Sequence, residues 1–148
     1  MHCDIKLLST DDLDPFIELL HVFEEVFELE KTPLPAQKHL RKVLKSPGFF
    51  SMIATADDQV IGGLTAYTFE QYHSIQPIAY IYDLAVLPKY QRKGIGGALI
   101  EAINNHCRKL GYQEIFVQTE KEEIHAVEFY RRTPITGEED VAHFYYRL

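Results

Sequence analysis

The sequence predicts a mixed α/β (α+β) fold, one domain over residues 1–148 with a central β-sheet flanked by helices. Three observations carry this expectation. Apolar residues recur at helical spacing at Phe16, Leu20, Phe23 and Phe27, and again at Ile95, Leu99, Ile103 and Leu110, the pattern of helices with one buried face. Between them lie runs rich in β-branched and aromatic residues, bounded by Pro, Gly and Asp, which read as strands. The chain has 148 residues, 46% of them apolar, enough for a single core, and no repeat or linker divides it.

Ile5 to Leu8 reads as the first strand. Ser9 or Thr10 stands where a helix N-cap belongs, with Asp residues in the first turn. The helix carrying Phe16 to Phe27 is broken by Pro33 and Pro35, and a shorter one runs from Ala36 to Lys45, ended by Pro47-Gly48. Phe49 to Ala56 and Val60 to Glu70 form a hairpin through Asp57-Asp58-Gln59. The polar connection Gln71 to Pro77 leads into an apolar strand from Ile78 to Leu87, which Pro88 ends. The next helix runs to Leu110, with Gly111 as its C-terminal glycine. Tyr112 to Thr119 reads as a strand, Ile124 to Arg132 as a helix, and Val141 to Leu148 as a closing strand.

Composition excludes several classes of function. The formal net charge is −7 and the isoelectric point about 5.4, which argues against nucleic acid as a partner and is compatible with a cationic substrate. No apolar run reaches the ~18 residues that span a bilayer. The N-terminus lacks a basic segment leading to an apolar one, so no secretory leader is expected. Cys3 and Cys107 read as reduced thiols of a cytoplasmic protein. The seven histidines show no metal-ligand spacing, and no metal is expected. Acidic residues cluster at Glu24, Glu25, Glu28 and Glu30 and at Glu120, Glu122 and Glu123, either as solvated faces or as cation-binding surfaces.

The stretch from Asp83 to Ile100 carries the chemistry. It reads strand, basic glycine-rich loop, helix. A helix N-terminus presents unpaired N–H groups and a positive dipole end to an anion. Gly94, Gly96 and Gly97 leave room for close approach, and Lys89, Arg92 and Lys93 add charge, so phosphate is the expected ligand. The Walker pattern is absent, and the dinucleotide pattern fails at Leu99. What remains is Gln91-x-x-Gly94-x-Gly96 after Leu84-Ala85-Val86-x-Pro88. This resembles the acetyl-CoA signature Gln/Arg-x-x-Gly-x-Gly/Ala of the GCN5-related N-acetyltransferase (GNAT) family. Within that family, Tyr80-Ile81-Tyr82-Asp83-Leu84-Ala85-Val86, Ile115 to Glu120, Ala126-Val127-Glu128-Phe129-Tyr130 and Val141-Ala142-His143-Phe144 resemble the aminoglycoside 3-N-acetyltransferase I type. The chain departs from the family after the helix tyrosine, where Arg131-Arg132-Thr133-Pro134-Ile135 replaces a basic–Gly–Phe exit.

The resemblance implies transfer of an acetyl group from acetyl-CoA to a primary amine of a small cationic substrate, by direct attack. It implies that Gln91, Arg92, Lys93, Gly94, Ile95, Gly96 and Gly97 hold the pyrophosphate. Leu84, Ala85 and Val86, on a splayed strand, would take the pantetheine arm as an added strand, with the Leu84 N–H facing the thioester oxygen. Asp83 is the first candidate to bind the ammonium and remove its proton. Its structural alternative is a partner for a nearby Arg or backbone N–H. Glu120, at the end of the next strand, is the second candidate, or else a solvated loop carboxylate. Tyr130 matches the tyrosine that protonates the departing thiolate, or else packs in the core. Tyr80 and Tyr82 line the substrate cleft or simply pack. Members are often dimers, so a homodimer is expected. Other acceptors — a polyamine, a metabolite or a peptide amine — and a non-catalytic acyl-CoA-binding module are the alternatives.

Overall fold

The computed structural model describes residues 2–30 and 33–148. The chain divides into two compact units, Met1–Gln118 and Thr119–Leu148. The first unit is built on β1 (Asp4–Leu7), α1 (Leu13–Val26), α2 (Gln37–Lys45), β2 (Phe50–Ala56), β3 (Gln59–Phe69), β4 (Ile78–Val86), α3 (Ile95–Lys109) and β5 (Glu114–Val117), with a 3₁₀ turn at Pro88–Tyr90 after β4. The strands form one sheet in the order β1-β2-β3-β4-β5. The first three pairings are antiparallel, and β4 pairs β5 in parallel.

The two faces of the sheet carry different helices. A Cβ built on Gly63 of β3 would stand 2.6 Å from Leu19 Cδ1, so α1 lies directly over that face, and Phe16 packs edge-on against Phe49. On the other face, Phe50 of β2 meets His106 of α3 edge-on at 5.0 Å. Leu19, Ile61, Leu64, Leu99, Ile103 and Cys107 are fully buried between these layers, each apolar side chain contributing roughly 1.5–3 kcal/mol on transfer from water. Both cysteines are free thiols. Burial pushes the Cys107 thiol up to about 11, which leaves it inert at neutral pH. Among the described residues no helix is long and apolar enough to cross a membrane.

Two features of β4 position the site. Its pairing with β5 runs from Ile78↔Glu114 to Ile81↔Val117 and stops there, while β4 itself continues to Val86. The pairing with β3 slips at the same place: Ile81 faces Ala66, Asp83 faces Thr65, and Tyr82 is the extra residue. A bulge of this kind bends the strand and increases its twist, and it falls where the β4–β5 pairing ends, at the last residue of β5, Val117. It also sets orientation. Side chains alternate across a strand, and strict alternation from Ile81 would turn Asp83 towards α3. The extra residue places Asp83 opposite Thr65, on the α1 face.

Several sequence expectations are corrected. Neither Ser9 nor Thr10 caps α1. The N-cap is Asp12, whose carboxylate instead accepts from Ser9 N (2.8 Å), Ser9 Oγ (3.0 Å) and Lys6 Nζ (3.3 Å), donors that hold its pKa below the usual carboxylate range. The apolar stripe of α3 ends at Cys107, not Leu110. Leu110 is the C-cap and 54% exposed, because the chain turns away at Gly111, whose φ is +80°. The first long helix stops at Val26, well before Pro33. The N–H of Glu28 bonds Glu25 O and that of Leu29 bonds Glu24 O, while Glu28 adopts a left-handed φ of 51°. This is a Schellman ending with glutamate in the place usually held by glycine.

The second unit contains α4 (Ile124–Arg132), with no buried residue. Val141 to Leu148 forms no strand and is exposed throughout. A strand needs a neighbour for its backbone N–H and C=O groups, and none among the described residues pairs with this segment. The unusual helix exit is well defined: the N–H and Oγ1 of Thr133 donate to Tyr130 O at 3.0 and 2.6 Å, and the Arg131 guanidinium forks onto Glu138 with both N–H···O distances 2.8 Å.

Candidate active site

Asp83 lies at the wall of a cavity of about 430 Å³ on the α1 face. Leu20, Phe23, Glu24 and Phe27 of α1 and its ending, with Leu29 and Leu34, complete the lining. Residues 20, 23, 24 and 27 share one helix face, and the Schellman turn folds Leu29 back beside them. Burial raises the Asp83 pKa above its ordinary value, since a charged carboxylate is poorly solvated against apolar walls.

A continuous set of aromatic rings extends from Asp83 across β3, β4 and β5. Tyr67 contacts Tyr82 at 5.6 Å and Tyr82 contacts Tyr80 at 5.9 Å, edge to face. Tyr80 stacks on Phe116 at 4.7 Å and 4°. The hydroxyls of Tyr67 and Tyr80 are shifted upward by burial first, then by Tyr82 and Asp83. Tyr80, Tyr82 and Asp83, singled out from sequence, are therefore brought together. Tyr67, Glu24 and the apolar wall were not legible in the sequence. Tyr67 is met only through its register with Tyr80, and Glu24 is one of four acids in a run that reads either as a solvated face or as a cation-binding surface.

The expected phosphate loop follows β4 directly. Gln91 Nε2 donates to Val86 O at 2.8 Å, tying the loop to the strand end. Gly94 is the N-cap of α3 with φ 82°, a conformation that costs a side-chain residue energy and leaves the first-turn N–H groups of α3 with no side-chain cap. A Cβ at Gly94 or Gly97 would meet nothing within 4 Å. Lys89 and Lys93 flank the buried Tyr90 ring at 5.4 and 5.7 Å, which holds both ammonium groups beside the loop. Open space, uncapped N–H groups and fixed cations fit the pyrophosphate of acetyl-CoA. The side of β4 from Tyr82 to Val86 that faces away from β3, unpaired among the described residues, fits an extended amide-bearing arm.

In the second unit, Glu120 is exposed and its carbonyl accepts from Glu123 N at 3.0 Å. It stands beyond the end of β5 at Val117, not at the strand's last position. Tyr130 is half-buried on α4, its ring 5.0 Å from Phe129. No group of three or more His, Cys, Asp or Glu among the described residues is placed to hold a metal ion.

A parted parallel strand pair, a glycine-opened helix beside it and a carboxylate on the adjoining cavity are the parts of an acyl-transfer fold. The chain belongs to the acetyltransferase (GNAT) family, whose sequence model matches residues 14–133, and it is an N-acetyltransferase. It is similar to the aminoglycoside acetyltransferase meta-AAC0020 from an uncultured soil metagenomic sample, solved in complex with trehalose, at 45% identity, 99% and 96% coverage of the two chains and a TM-score of 0.97. It is also similar to the aminoglycoside acetyltransferase HMB0005 from an uncultured soil metagenomic sample, at 31% identity, 100% and 99% coverage and a TM-score of 0.92. An uncharacterized N-acetyltransferase YhfO of Bacillus subtilis (strain 168) is 25% identical over 145 residues, 98% of this chain and 96% of the relative.

Proposed function

We propose that this enzyme transfers an acetyl group from acetyl-CoA to an amine of a small polycationic substrate, an aminoglycoside at its 3-N position. The supporting observation is the cavity that joins Asp83 to an apolar wall on the α1 face. The similarity to meta-AAC0020, which was also solved in complex with sisomicin, supports the same substrate class. Residues 1–148 act as one catalytic domain, in the cytoplasm, without nucleic acid or membrane as partner. The exposed apolar side chains of Val141, Phe144, Tyr146 and Leu148 suit a homodimer, which sedimentation would show as twice the chain mass.

Acetyl-CoA, when bound, supplies the activated acyl group. Asp83 binds the substrate ammonium and takes its proton, either directly or through one water. Its raised pKa brings it closer to the basicity this step requires. The Leu84 N–H donates to the developing oxyanion, an interaction of a kind worth ~3 kcal/mol in the transition state. Tyr130 Oη donates the proton that the departing sulfur takes up, and a tyrosine, with its pKa near ~10, holds that proton at neutral pH. Glu120 is the second candidate for the base. Tyr80 and Tyr82 form the floor on which the substrate lies.

A panel of amines tests this. Thiol release should be faster with gentamicin than with spermidine, and faster with spermidine than with a neutral amino acid. The advantage should shrink from low to high salt, since exposed carboxylates are screened over ~8–10 Å at physiological ionic strength. A preference for the amino acid would overturn the substrate assignment.

A further inference from the structure

Among the described residues, Glu24 is the one lining residue of the cavity, besides Asp83, that carries charge. Its side chain is 25% exposed, and its Oε1 atom is buried with no hydrogen-bond partner among the described residues. His21 Nδ1 stands 3.4 Å from that oxygen, outside hydrogen-bonding geometry, on a largely exposed ring that is charged only when protonated. A carboxylate oxygen left without a donor in an apolar surround is costly. Two carboxylates facing one apolar space, with no Lys, Arg or His among the described residues of its lining, are complementary to a ligand that brings its own cations.

We infer that Glu24 is the specificity-determining carboxylate of this pocket and binds a second ammonium group of the acceptor, away from the amine delivered to Asp83. The substrate class is thereby narrowed to compact molecules with at least two separated amines and an apolar edge that rests on Phe23 and Phe27. This rests on the proposed function and adds to it: a single cationic amine satisfies Asp83 alone, whereas a diamine satisfies both acids. Glu24 touches no reacting atom, so its contribution falls on binding, through charge-assisted hydrogen bonds.

The test compares Glu24→Gln and Glu24→Asp with the parent enzyme, using gentamicin, which has several amines, and glucosamine, which has one. Glu24→Gln should raise KM for gentamicin by about 10- to 100-fold, the range expected for a hydrogen bond to a charged group, with kcat reduced far less. KM for glucosamine should move by less than about threefold. Glu24→Asp, which keeps the charge, should recover part of the loss. Calorimetry of gentamicin binding in the presence of coenzyme A gives a second reading independent of turnover, and Glu24→Gln should weaken that binding in the same proportion. Equal KM changes for both amines, a fall confined to kcat, or unchanged gentamicin affinity would overturn the inference. A parent enzyme that binds gentamicin through Glu24 yet acetylates no amine would instead overturn the proposed function and leave this inference standing.

Discussion

Asp83→Asn should lower kcat/KM by about 10²- to 10⁴-fold, the usual contribution of a positioned general base, with acetyl-CoA affinity nearly unchanged. The pH dependence makes the test specific. Burial raises the Asp83 pKa, and a base works only when ionised. The acid limb of kcat/KM should therefore lie above the ordinary carboxylate value of ~3.9 and vanish in the asparagine variant. The same shift fixes a sign for stability. The folded protein holds this proton more tightly than the unfolded chain, so Asp83 contributes stability at low pH that is lost as pH rises through its folded pKa. Asparagine should leave thermal unfolding at neutral pH unchanged or slightly higher, which separates loss of the base from loss of the fold. Tyr130→Phe should cost less, because a thiolate leaves without much help. Near-full activity in Asp83→Asn, together with loss in Glu120→Gln, would exchange their roles.

Gly96→Asp should abolish acetyl-CoA binding as seen by calorimetry. The residue lies in the first turn of α3, where the uncapped N–H groups point. A carboxylate there takes up the place and the charge intended for phosphate. It is also favourable to the helix itself, by roughly 0.3–1 kcal/mol from the dipole, so circular dichroism and the unfolding temperature should not fall. Retained affinity in the folded variant would remove the loop from the cofactor site.

Local signals in the sequence placed most of the elements. Helix α4 falls on the residues Ile124 to Arg132 expected for it, Pro88 follows the end of β4, and Gly111 has the backbone angle its position required. The Gln91 to Gly97 loop was legible because glycine, charge and a helix start are all written within a few residues. The cavity was not. It is made by Glu24, Phe27 and Leu29 meeting Asp83 across tens of residues, and by a Schellman turn that uses Glu28 where a glycine would have signalled the ending. The face of Asp83 was equally hidden, because it depends on Tyr82 being surplus to a ladder whose partner strand must be known first. Val141 to Leu148 has a strand's composition, but composition names no partner, and no described residue pairs with this segment.

The early end of the β4–β5 pairing gives this sheet an uneven resistance to opening. Local fluctuations draw on the least cross-linked backbone. In this sheet that backbone is the C-terminal half of β4, on the side away from β3 and beyond the end of β5 at Val117. Amide hydrogens of Tyr82 to Val86 that point away from β3 should exchange with deuterium well before those of Ala79 and Ile81, one to seven residues upstream in the same strand. The C-terminal half of β4 thus keeps one hydrogen-bonding edge free of β5, so laying an extended chain there requires no prior unzipping of the sheet.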